Sequence, residues 1–289
     1  MMRLALGTVQ FGLLYGIANS TGQVSPVDAN TMLQLAADHG IDTLDTAIGY
    51  GDCETSLGEM GIEGFKVITK LPALPKDCVD VSTWVNEQVS SSLARLGLSA
   101  VYGLLLHCPA QLLESNGKKL FNALKEVKEA GLVQKVGISI YAPTELQELA
   151  QRFHFDLVQA PFNLVDQRII TSGWLHRLKD DDVEVHTRSS FLQGLLLMSQ
   201  QSIPTKFAPW NELWDKWHQW LSDQNISALE ACLAFVLSFP EIDRVIVGAD
   251  SVNQLQQIIE AATIGSTIDF PDLISEDENL INPSLWSAL

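Results

Sequence analysis

Short apolar runs of strand length alternate with segments of helical periodicity eight times along the chain, and this alternation most constrains its fold. The predicted strands are 4–6, 41–44, 65–69, 101–106, 133–138, 155–160, 183–187 and 244–247. The intervals between them read as helices. Ser25 and Pro26 supply an N-cap and a first-turn proline ahead of Met32, Leu33, Leu35 and Ala36. Later helices start at Glu54, run through Val85, Val89 and Leu93, pass Leu120, Leu124 and Val127 before Gly131, start at Pro143, and cover 168–179. A longer excursion with helices over 210–221 and 227–237 precedes the eighth strand, and 252–262 follows it. Eight such units on one sheet predict an α/β fold, a (β/α)8 TIM barrel. The 289 residues form one domain with no linker, ending in a short acidic tail, 268–289, predicted to lie loosely on the surface.

The charge balance narrows the partners. Eighteen Lys and Arg stand against 35 Asp and Glu, a net charge of −17, so nucleic acid and anionic membranes are not expected partners. An anionic ligand would need local donors such as helix N-termini. No apolar run approaches the roughly 18 residues of a membrane span, and MMRLALGTVQFG lacks a signal-peptide core; the expected location is the cytoplasm. Cys53, Cys78, Cys108 and Cys232 are far apart, which points to reduced thiols rather than disulfides or zinc. The histidines lack metal-ligand spacing, and no metal is expected.

Barrel active sites form at the C-terminal ends of the strands. Asp45 and Tyr50 follow the second predicted strand, Lys70 the third and His107 the fourth. A phenol with an ordinary pKa near 10 is a poor acid, and a neighbouring ammonium is expected to lower that value. Asp45 would keep Lys70 charged, and His107 would orient an incoming oxygen. Together the four could protonate a carbonyl oxygen as hydride reaches its carbon. Singly, each has a blander role: a turn cap, a loop tyrosine, a snorkelling lysine, a satisfied histidine.

The stretch Asp45-Thr46-Ala47, Tyr50-Gly51, Glu54, Leu57-Gly58 resembles the aldo-keto reductase signature D-T-A-x-x-Y-G-x-x-E-x-x-L-G without a gap. Lys70 in a strand ending T-K and His107 ending L-L-H are similar to the family's remaining catalytic positions. The resemblance implies direct hydride transfer from a nicotinamide cofactor, NADPH by family habit with NADH possible. It also implies cofactor contacts from Thr8, Val9, Asp45, Ser139 and Gln159, although Ile140 stands where the family has asparagine. After the seventh strand Arg188 takes the position of an aromatic that stacks on the nicotinamide, and Ser189, Leu192 and Gly194 would follow the pyrophosphate. After the eighth, Gly248, Ser251, Gln254 and Gln257 match the adenosine segment, with Asp250 an awkward neighbour for a 2′-phosphate. Tyr15, Phe162 and Arg188 are the expected substrate-pocket residues. Trp210, Trp214 and Trp217 fall at helical spacing and are read as packing.

The expected function is NADPH-dependent reduction of aldehyde or ketone carbonyls on small substrates, with Tyr50 as general acid. Three rivals stand beside it: a sugar 1-dehydrogenase working oxidatively, a regulatory subunit that binds NADPH with slow turnover, and a Schiff-base aldolase using Lys70. Cys53 and Cys108 lie close enough to the site for redox sensitivity to be a further alternative to their role as small apolar fillers.

Overall fold

The computed structural model describes residues 2–17, 19, 22–263 and 268–289. Eight parallel strands close into a barrel in chain order: β1 (Leu4–Gly7), β2 (Thr43–Asp45), β3 (Lys66–Leu71), β4 (Val101–Leu106), β5 (Val133–Ser139), β6 (Leu157–Pro161), β7 (Glu184–Arg188) and β8 (Arg244–Val247). Closure is made by β8 against β1, with Leu4 opposite Val245 and Leu6 opposite Val247. The predicted barrel is therefore the observed one.

Strand side chains alternate between the barrel interior and the helix layer. The outward residues Leu4, Leu6, Leu44, Val67, Leu104 and Val158 join the large core between strands and helices. Ile68, Leu105 and Leu157 form a separate small apolar cluster inside the barrel. This plug divides two polar ends. One end carries Tyr102, Lys135, Glu184 and His186; the other carries Asp45, Lys70, Gln159 and Arg188.

Helix starts follow local chemistry. Ser25 accepts from the Asp28 N–H, Asp80 from Thr83, and Ser227 forms a capping box with Glu230. The predicted helix 168–179 is two helices, Arg168–Thr171 and Trp174–Asp180, because Gly173 between them adopts φ +76°. The tail also differs from expectation: Leu273, Leu280, Ile281 and Trp286 are buried, and Trp286 meets Phe207 edge-on at 4.9 Å. Its acidic residues sit between apolar anchors, which pin it to the excursion after β7. The tryptophans there do pack: Trp214 and Trp217 are buried and donate their indole N–H groups to Phe207 and Leu196 carbonyls.

Candidate active site

Both strand ends that carry the acid and the lysine run further than predicted. Asp45 is the last residue of β2 and Lys70 lies within β3, one residue before its end. Register brings the two strands together, with Asp45 opposite Ile68, so the Asp45 and Lys70 side chains converge inside the barrel. Lys70 is 1% exposed, and its Nζ donates to Asp45 Oδ1 at 2.6 Å and to the Thr46 carbonyl at 2.8 Å. Burial pushes this ammonium down, but Asp45 and Tyr50 together more than offset it and hold Lys70 above the ordinary lysine value. An amine held as ammonium is a poor nucleophile, which weighs against Schiff-base chemistry at Lys70.

Tyr50 follows β2 in a turn, its ring centre 5.3 Å from Lys70 Nζ. Its phenol is pushed above 10, contrary to the expected lowering, because burial outweighs the attraction of Lys70 and Asp45 adds to it. The site therefore holds a firmly protonated phenol. His107, just past β4, presents its ring edge-on to Tyr50 with centroids 6.1 Å apart. Burial and the Lys70 charge bring its pKa down to about 4, so its imidazole is neutral near pH 7.

The carboxylate of Asp45 is shared. Gln159 of β6 donates its Nε2 to Asp45 Oδ2 at 2.7 Å, and Ser139 of β5 donates to Gln159 Oε1 at 3.1 Å. Four strands thus join in one chain of hydrogen bonds from Lys70 to Ser139.

A continuous cavity of about 540 Å³ opens from this chain across the C-terminal ends of β1, β6, β7 and β8. Of the sequence-predicted cofactor positions, Thr8, Val9, Asp45 and Gln159 line it, as do Ser189, Gly194, Gly248, Gln254 and Gln257. Ser139, Leu192 and Ser251 do not. Ser139 acts through Gln159, Ser251 accepts from the Gln254 N–H as part of the helix start, and Leu192 is buried with its N–H bonded to the Ser189 carbonyl. Gln193, at φ +53°, turns toward the cavity in place of Leu192.

The pocket residues divide likewise. Tyr15 lines the cavity, half-exposed, and accepts from Gln193 Nε2 at 3.2 Å. Arg188 lines it too, donating to the Ile140 carbonyl at 3.0 Å, with its guanidinium 4.8 Å from the centre of the Tyr141 ring. Phe162 is not a pocket residue: it is fully buried between Phe235 and Phe239 in the outer core. Its position after β6 carries it past the sheet to the outside of the barrel. Cys53 is buried as well. Its thiol donates to the Thr8 carbonyl and burial pushes its pKa up, both of which suit a filler rather than a reactive thiol.

Some lining residues were not legible as such. Gln10 and Ser190 are buried in the wall with Gln10 Oε1 and Ser190 Oγ left without protein partners. Gly248 lets the Gln10 side-chain amide lie against the backbone, since a Cβ there would come within 2.5 Å of Gln10 Nε2 and displace it. Polar atoms of this kind fit a ligand with many hydrogen-bonding groups, such as a dinucleotide. The only hint in the sequence is that both lie close to strand ends.

Comparison with known proteins agrees with this geometry. Residues 3–275 match the sequence model of the Aldo/keto reductase family. The uncharacterized oxidoreductase YqkF of Bacillus subtilis (strain 168) is 25% identical over 62% of this chain, which spans about 60% of that protein's length. The L-glyceraldehyde 3-phosphate reductase of Escherichia coli O157:H7 is 22% identical over 96% of this chain and 91% of its own. Among solved structures, the holo form of aldo-keto reductase AKR11C1 from Bacillus halodurans superposes with a TM-score of 0.74 at 18% identity, covering 95% of this chain and 94% of that one. No helix among the described residues is long and apolar enough to cross a membrane.

Proposed function

The chain belongs to the aldo/keto reductase family and is an oxidoreductase, and on that premise we propose that Tyr50 is the proton donor in the reduction of a small carbonyl substrate to an alcohol. One observation carries this reading: a half-buried, protonated phenol stands beside a lysine ammonium and a neutral imidazole at one end of a dinucleotide-sized cavity.

Each residue has a task in that scheme. His107, neutral, donates a hydrogen bond that draws the carbonyl oxygen toward Tyr50. Tyr50 transfers its phenolic proton as negative charge builds on that oxygen. The phenolate left behind is stabilised by Lys70, whose own charge Asp45 keeps in place. Gln159 holds Asp45 and faces the cavity where a nicotinamide carboxamide would lie. Ser189, Ser190 and Gly194 would hold a pyrophosphate, and Gly248, Gln254 and Gln257 an adenosine. When bound, the dihydronicotinamide supplies the hydride. The carrier implied by the family resemblance is NADPH.

Arg188 is the only lysine or arginine among the cavity-lining residues, and no acidic side chain among the described residues pairs with it. With Lys70 already neutralised by Asp45, a substrate bearing a carboxylate or phosphate suits this end of the cavity.

The test is oxidation of NADH and NADPH against a panel of neutral and acidic aldehydes and sugars, in wild type and Tyr50→Phe. Turnover in wild type that falls about 10²–10⁴-fold in the variant, with nucleotide binding retained, supports Tyr50 as the acid. Undiminished turnover in the variant would remove Tyr50 from the mechanism.

A further inference from the structure

The two ends of the cavity differ in charge. Arg188 belongs to the catalytic end: its charge acts on Tyr15, Tyr50, His107 and Lys70. The other end is formed where the loop after β1 meets the loop after β8, and there the ionisable group is Asp250. Its Oδ1 accepts from Asn19 Nδ2 at 3.1 Å, its backbone N–H donates to Gln254 Oε1 at 2.8 Å, and its carboxylate is hydrogen-bonded by Gln10. Among the described residues no cation pairs with it: its partners are the side-chain amides of Asn19, Gln10 and Gln254.

The sequence makes the absence of a cation there general. Residues 4–65, 189–205, 217–243 and 245–289 contain no lysine or arginine, and these segments supply every lining residue except Gln159 and Arg188. The lysines that border these segments are tied elsewhere, Lys66 to Asp42, Lys206 to the Trp286 carbonyl and Lys216 to the Asp272 carbonyl of the tail. The first turns of the helix Val252–Thr263 do reach this end, where Gln254 and Gln257 line the cavity. One of its free N–H groups, that of Gln254, is already satisfied by Ser251 Oγ. A phosphate dianion placed here would therefore meet a carboxylate and neutral amides, inside a chain of net charge −17. A ribose hydroxyl, by contrast, is a donor that Asp250 can accept.

We propose that Asp250 is a specificity-determining residue that makes this cavity an NAD(H) site, accepting an adenosine ribose hydroxyl and repelling the 2′-phosphate of NADP(H). The proposal deepens the nicotinamide reading above and rests on it. It replaces NADPH, the cofactor expected from the family resemblance, for a reason of charge: the far wall lacks the cation a 2′-phosphate needs.

Binding, not turnover, decides it. Fluorescence titration of wild-type protein with NADH and with NADPH, at fixed ionic strength, is expected to give a Kd for NADH at least about tenfold lower. Asp250→Asn should narrow that ratio mainly by tightening NADPH. Asp250→Ser combined with Gln254→Arg should reverse it. Adenosine 2′,5′-bisphosphate and AMP, used as competitors, should show the same order without any nicotinamide contact. Equal or tighter binding of NADPH by wild type would overturn the proposal while leaving the reductase reading intact. An NADH preference that Asp250→Asn leaves unchanged would overturn the assignment to Asp250. Binding of neither nucleotide would overturn the reductase reading, and this proposal with it.

Discussion

Lys70 Nζ and Asp45 Oδ1 are 2.6 Å apart in a part of the barrel that water scarcely reaches, and the second carboxylate oxygen is closed by Gln159. Removing one partner strands the other's charge, which typically costs about 3–5 kcal/mol, whereas removing both leaves no stranded charge. Urea denaturation of Lys70→Met, Asp45→Asn and the double variant should therefore show a double-variant loss well below the sum of the single losses. Additive losses would mean that the two groups are not coupled in the folded protein.

The pH dependence of reduction follows from the two groups beside them. Tyr50, held above 10, remains a proton donor throughout the neutral range, so no alkaline fall from this group is expected below pH 10. His107, brought down to about 4, remains neutral until that pH. The log of kcat/KM for reduction should be flat through pH 6.5, the ordinary histidine value, and bend only as pH approaches about 4. A bend near 6.5 that His107→Asn abolishes would contradict the burial of this ring. Stability is linked with the opposite demand. Between 6.5 and about 4 the unfolded chain takes up a proton that folded His107 refuses. Stability therefore falls as pH drops through this window and levels off below it. His107→Asn should flatten that part of the curve.

Much of this was legible before the structure. Strands β4 and β8 fall at their predicted bounds, since the apolar runs Leu104–Leu106 and Val245–Val247 are buried on both faces of the sheet. β2 and β3 run past their predicted ends because Asp45 and Lys70 are polar and apolar patterning stops before them. Functional strand ends are where that pattern fails. The motif residue Glu54 carries no chemistry in the cavity: buried, it accepts from Thr69, Ser92 and Arg95 and ties its helix to β3 and to the helix Val81–Leu96. Phe162 lies in the outer core and not in the pocket, because aromatic character alone does not distinguish the two faces of a strand end. Gln10 and Gln193 were invisible because an amide's role depends on a backbone turn that no periodicity encodes.

Gly12 illustrates such a turn. It sits against the backbone that presents Tyr50, and a Cβ there would fall inside the Tyr50 carbonyl oxygen and 2.8 Å from Cys53 Cβ. Gly51, next to Tyr50, needs its φ of +57° and faces the Gly12 carbonyl in turn. Gly12→Ala must therefore shift the tyrosine turn. A loss of about 1–3 kcal/mol is expected, as for an overpacked core. Reduction should fall more than nucleotide binding, because Tyr50 moves while the far end of the cavity does not. Thermal denaturation and titration of the variant separate the two effects. An alanine variant of unchanged stability would mean that the turn tolerates a methyl group.

At the barrel end opposite the candidate active site, Glu184 accepts from Tyr102 at 2.7 Å, from Lys135, and bonds the buried His186 ring at 2.7 Å. Burial pushes its carboxyl up, but the hydrogen bonds from His186 and Lys135 outweigh it and hold Glu184 below the usual carboxylate range. A carboxyl lowered on folding contributes stability above its unfolded value, and that contribution is lost as pH falls below it. Lys135 is raised on folding, chiefly by the Glu184 hydrogen bond once its burial is overcome, so its contribution is lost only at strongly alkaline pH. The cluster thus stabilises the barrel across the neutral range and fails first in acid. Glu184→Gln, which keeps shape but removes charge, should cost about 2 kcal/mol at pH 7, the range of a charged hydrogen bond. The difference from wild type should shrink as pH is lowered below 4.5, the ordinary value for this carboxyl. Urea midpoints of both proteins from pH 7 to pH 3 measure this directly. A gap that persists undiminished at pH 3 would show that the glutamine disrupts packing rather than charge. Nucleotide binding at the opposite end should be unaffected, because the plug of Ile68, Leu105 and Leu157 lies between.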